Sequence, residues 1–131
     1  MKQTLAQIAL VVREYDEAIR FYVDVLGFEL LEDTILSETK RWVRVRPRGS
    51  EGCGLLLARA VGETQESRIG NQTGGRVFLF LHTDDLDRDF ARLSAHGVQI
   101  VRPPSTESFG KVLVFADIYG NLWDLIQPLN P

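Results

Sequence analysis

The chain of 131 residues is poor in the residues that most often carry chemistry. It has a single cysteine, Cys53, so neither an internal disulfide nor a cysteine-built metal knuckle can form. Cys53 itself reads as a small buried strand residue. Histidine occurs twice, as His82 and His96. No apolar run is long enough to cross a bilayer: the first is interrupted by Gln7 and ended by Arg13-Glu14. No small-residue cleavage site of a signal peptide follows Lys2, and a cytoplasmic location is the expectation. Neither sign of charge dominates. The formal net charge is -3 and the charges are interspersed, which leaves no basic footprint for nucleic acid. The local exception is Arg41, Arg44, Arg46 and Arg48. There is no Ser-His-Asp order, no P-loop and no dinucleotide-binding glycine pattern. Gly70-Asn71-Gln72-Thr73-Gly74-Gly75 has neither the spacing nor a following helix.

What the chain does have is an internal repeat. Ile8 to Val12 is an apolar run, followed by a stretch of helical spacing to Tyr22 and then by Leu26-Gly27-Phe28-Glu29-Leu30. Val77 to Leu81, Thr83 to Leu93 and His96-Gly97-Val98-Gln99-Ile100 repeat that order. Each half reads strand, helix, glycine, strand.

The elements follow from periodicity. A strand is expected over 6–13. A helix follows, with Asp16 as a cap and Tyr15, Ala18, Ile19, Tyr22, Val25 and Leu26 on one face, ended by Gly27. Further strands are expected over 28–33, over the strictly alternating 41–46, and over 53–58. Residues 62–75 form a long polar connection, with Asn71-Gln72 either a lid or plain solvated chain. The second half supplies a strand at 76–83, a helix with Asp84 or Asp85 at its start and Leu86, Phe90 and Leu93 on one face, and a strand at 98–102. Pro103 to Ser108 is then a loop, and strands run over 112–115 and 121–127 around a turn at Tyr119-Gly120-Asn121. His96 stands where a histidine favours the helix dipole. The whole is one domain of 1–131 with modules 1–73 and 74–131. Its class is α+β: two βαβββ modules forming a curved mixed β-sheet, with helices on one face and a concave ligand cleft on the other.

This layout resembles the vicinal oxygen chelate superfamily: glyoxalase I, bleomycin-resistance proteins and extradiol dioxygenases. The residues that carry the resemblance are Gln7 to Val12, Ala18-Ile19-Arg20-Phe21-Tyr22 with Leu26-Gly27-Phe28, Gly74 to Leu81, Asp84-Asp85-Leu86, and Phe115 to Ile126. They span nearly the whole chain. The helix exit F-Y-x-x-x-L-G-F and the D-x-x-G-N turn are characteristic of the fold and of no one reaction. The resemblance implies a homodimer with the cleft at or near the interface. It also implies four metal-ligand positions, which fall on Gln7, Leu56, Phe78 and Asp124. Leu56 and Phe78 are apolar and bind no metal. Gln7 and Asp124 either share a weak ion completed by water or pair with each other by a hydrogen bond.

Two function classes follow. One is a binder of a small aromatic or anionic molecule, with no complete metal site and no cofactor, similar to drug-sequestering resistance proteins. The other is a divalent-metal-dependent lyase, isomerase or dioxygenase of the glyoxalase I type, whose metal polarises an oxygen. A metal-free enzyme with Asp124 or His82 as base is a third reading. The partner in each case is a small molecule, with neither nucleic acid nor membrane. Strand alternation sets Phe78, Phe80 and His82 on one face. His82 is a ligand, a base, a substrate contact or only a strand-end residue. Trp42, Arg44 and Arg46 share a face opposite Val43 and Val45. There Arg44 either binds a carboxylate or phosphate and Trp42 stacks on the ligand, or the arginines decorate an edge strand. Phe78, Phe80 and Leu122 or Trp123 complete a pocket.

Overall fold

The computed structural model describes residues 1–129. They fall into two compact units, Met1–Ile69 and the chain from Gly70 onward. Each unit carries one four-stranded mixed sheet.

In the first unit the strands are β1 (Gln7–Val12), β2 (Glu29–Ile35), β3 (Arg41–Arg46) and β4 (Gly54–Arg59), in the order β1-β4-β3-β2. β1 runs parallel to β4, and the other pairs are antiparallel. Side chains alternate between the two faces of a strand. Leu10 and Val12, Val43 and Val45, and Leu55 and Leu57 are all buried and define the core face. Helix α1 (Tyr15–Ile19) lies against β3 and β4. Burying side chains of this size contributes about 1.5–3 kcal/mol each. The side chains between these, Arg44 and Leu56 among them, point to the opposite face. Cys53 lies just before β4 and is half-buried, less enclosed than its sequence setting suggests.

The first helix departs from the expected α-helix through Leu26. After Ile19 it widens into a π-helix over Arg20–Val25. The widening accompanies two consecutive buried rings, Phe21 and Tyr22, which meet edge-on with centroids 5.1 Å apart. Gly27, at φ 86°, then turns the chain into β2. Asp16 does not cap α1; the N-cap is Glu14, whose side chain does not cap the helix and pairs instead with Arg59 at 3.6 Å. Arg41 draws Asp16 away, binding it at 2.8 Å while gripping both oxygens of Asp33 at 3.1 and 2.6 Å. These bonds, the Asp33 pair foremost, push the Arg41 guanidinium further above its ordinary pKa. The guanidinium also lies 5.2 Å from the Tyr15 ring centroid. Arg41 is thus a structural clamp between α1 and β3. A short helix α2 (Glu63–Glu66) interrupts the connection expected to be plain loop.

The second unit repeats the scheme with β5 (Val77–His82), β6 (Ile100–Glu107), β7 (Gly110–Ala116) and β8 (Leu122–Pro128), in the order β5-β8-β7-β6. Helix α3 (Leu86–Ala95) buries Leu86 and Leu93. It is well capped: Asp85 accepts from the Arg88 amide at 3.0 Å and Gln127 Oε1 accepts from the Leu86 amide at 2.9 Å. Thr83 also bonds Asp89 through their side chains. Trp123 stacks on Phe115 with centroids 5.9 Å apart, and both are buried. Trp123 is therefore a core residue, and of the pair considered for a pocket only Leu122 faces the other way. Pro103 to Glu107 belong to β6 rather than to a loop. The ladder to β7 skips a step between Arg102 and Ser105, which absorbs two residues without amide hydrogens at a sheet edge.

Candidate functional site

The face of the first sheet opposite its buried core gathers several polar side chains. The strand register sets Glu32, Arg44, Leu56 and Ala9 in one row across β2, β3, β4 and β1. Gln7 stands two residues before Ala9 and so shares its face. Arg44 Nε donates to Gln7 Oε1 at 2.7 Å. Arg44 Nη1 lies 3.7 Å from a Glu32 oxygen. Trp42 and Arg46 flank Arg44 along β3, half-buried as it is. The Nε of Arg46 is buried without a hydrogen-bond partner. Leu56 is the direct cross-strand neighbour of Arg44.

In the second sheet the corresponding row is Arg102, Val114, Asp124 and Phe80. Asp124 is half-buried and its carboxylate makes no hydrogen bond among the described residues. Desolvation pushes its pKa above the ordinary aspartate value, and the charge of Arg102 works in the opposite direction. Phe80 beside it is 64% exposed. His82 pairs with Ile126 and is exposed at the strand end. His96 ends α3, with Nδ1 2.9 Å from the Arg92 carbonyl.

Phe78 departs from simple alternation. The ladder gains one residue between Val77 and Leu79, so a β-bulge at Phe78 shifts it out of step with Phe80 and His82. Phe78 and Leu122 nevertheless line one pocket of about 100 Å³, with Asn71, Gln72, Arg76 and Asn121. Asn71 and Gln72 are thus pocket wall. Asn121 is fixed from below by Asp117, whose carboxylate accepts from the Asn121 amide at 2.9 Å and its Nδ2 at 2.8 Å. Gly70, at φ 74°, packs on the Tyr119 carbonyl, and a Cβ there would collide with it.

Sequence reasoning treated Gln7 as a partner for Asp124 or for an ion. In the structure its amide oxygen accepts from Arg44. Glu32 and Arg102, both on these rows, were missed. The signal needed was the strand order, because β4 sits between β1 and β3. Of the four positions that the resemblance assigns to metal ligands, Leu56 and Phe78 have no lone pair to offer, and Gln7 is engaged by a cation. Among the described residues no group of three or more His, Cys, Asp or Glu is placed to hold a metal ion.

The repeated β-α-β-β-β units place the chain among proteins built from paired βαβββ modules. The chain belongs to the glyoxalase/bleomycin resistance protein/dioxygenase superfamily, whose model matches residues 4–125. It is 59% identical over 128 residues to an uncharacterised protein of Shewanella frigidimarina, covering 97% of this chain and 95% of that one. Among solved structures it is similar to UcmS2, at 28% identity and a TM-score of 0.82, covering 96% of this chain and 98% of the other. It is also similar to TnmS3, an antibiotic-binding protein from Streptomyces sp. CB03234. That match has 30% identity and a TM-score of 0.76, and covers 98% and 97% of the two chains.

Proposed function

We propose that this protein binds a small aromatic or anionic molecule on a sheet face opposite the buried core and does so without a resident metal. The observation that carries this reading is the bond from Arg44 to Gln7. It puts a permanent positive charge on the one first-unit position that has a metal-ligating atom. A divalent ion at Gln7 would have to displace that guanidinium or sit beside it. With Leu56 and Phe78 apolar, Asp124 alone remains as a ligand, whereas a catalytic metal usually has about three from the protein. The residues present do not fit a metal centre of the glyoxalase type. In the second unit, exposed Phe80 and the pocket wall of Phe78 and Leu122 suit a flat apolar body; in the first unit, half-buried Trp42 offers a flat surface of its own. The likeness to an antibiotic-binding protein supports the same reading.

Thermal unfolding with chelator-treated protein tests it. Small aromatic acids and neutral aromatics are added singly, and a ligand at 100 times its Kd stabilises the folded state by about 2.7 kcal/mol. A rise in Tm with at least one compound and no added metal is expected. Stabilisation that appears only when a divalent metal is supplied would favour the metal-dependent alternative.

A further inference from the structure

The geometry points to Arg44 as the protein's own cation, standing in for a divalent ion and taking a planar carboxylate as ligand, with Gln7 as its positioning residue. This inference rests on the small-molecule-binding reading above and goes on to name the group recognised. Arg44 adjoins both first-unit positions where the family resemblance puts metal ligands. Its Nε bonds Gln7 at 2.7 Å, and its strand neighbour across β4 is Leu56. Gln7 thereby fixes one side of the guanidinium plane. Glu32, at 3.7 Å from Nη1, is a looser counter-charge on a partly exposed side chain. Nη2 has no partner among the described residues, so one edge of the fork stays open. Two residues along the same strand face, Arg46 keeps a buried Nε with no acceptor. That second guanidinium adds positive charge to the same face. A guanidinium edge matches a carboxylate in shape as well as charge. Trp42 on the same face offers a flat surface for the body that carries the carboxylate.

The test compares 2-naphthoate with its uncharged twin 2-naphthamide, titrated calorimetrically into the full chain in chelator-treated buffer. Wild type is expected to bind naphthoate roughly tenfold or more tighter than naphthamide, as a charged hydrogen bond implies. Arg44→Ala is expected to abolish the preference for naphthoate over naphthamide. Arg44→Lys keeps the charge but loses the fork, and should restore only part of the preference. Gln7→Leu should reduce that preference severalfold, because Gln7 acts through Arg44. In ¹H–¹⁵N spectra of the wild type, the Arg44 Nε–H signal should move with naphthoate and stay put with naphthamide. Equal binding of the twins, or a preference that survives Arg44→Ala, overturns the inference and leaves the small-molecule reading standing. Binding of neither twin overturns the inference; the broader reading falls with it only when the thermal screen is also blank.

Discussion

Asp124 is the residue whose environment is most at odds with its charge. It is a half-buried carboxylate beside an exposed Phe80, without a hydrogen bond among the described residues. Desolvation, partly countered by Arg102, raises its pKa. A raised folded-state pKa means that the folded chain holds the proton more tightly than the unfolded one. Ionised Asp124 therefore costs stability at neutral pH, and the cost disappears as pH falls through the carboxyl range. Asp124→Asn should be slightly more stable than wild type at pH 7 and lose that advantage on acidification. Urea unfolding at several pH values checks this, and a variant less stable at pH 7 would mean that the carboxylate has a stabilising partner. Gln7 and Arg44 teach the complementary lesson. Each side chain was legible as a polar candidate, but their bond was not, because it depends on which strands are neighbours.

At the scale of elements, the sequence was most readable where one physical rule acts alone. Strict alternation defined β3, and Asp84 or Asp85 and Gly97 marked the ends of α3, where Asp85 is the cap. It was least readable where two rules compete. The paired prolines of β6 argue for a loop, yet an edge strand tolerates them by skipping ladder bonds. Consecutive buried rings at Phe21 and Tyr22 accompany a π-helix that apolar spacing does not announce. The extra residue at Phe78 breaks the alternation that placed it with Phe80. The β7–β8 turn depends on Asp117, which is buried and accepts from the amides of Tyr119 and Asn121 at 2.9 Å each, as well as from Asn121 Nδ2. Asp117→Ala removes the acceptor for all three and leaves buried donors unpaired, at about 1–3 kcal/mol. Thermal and urea unfolding measure that loss. A change under a few tenths of a kcal/mol would show that the turn holds through its backbone alone.

For the molecule as a whole, the repeat is what made the fold legible: two βαβββ units, each a four-stranded mixed sheet with its helix packed on one face. The family followed from the helix exit and the D-x-x-G-N turn, and the family model matches residues 4–125. Chemistry did not follow, because one fold hosts binders and metal enzymes alike, and the site decides between them. Here the corresponding rows differ in kind. One sheet presents Arg44 beside Leu56, the other Asp124 beside Phe80. Under the proposed function this chemistry is ligand binding without metal. Elemental analysis tests it most directly, after incubation with excess Zn²⁺, Ni²⁺, Mn²⁺ and Fe²⁺ followed by desalting. Metal far below one ion per chain is expected. Retention of about one ion per chain, lost in Gln7→Ala or Asp124→Ala, would contradict it.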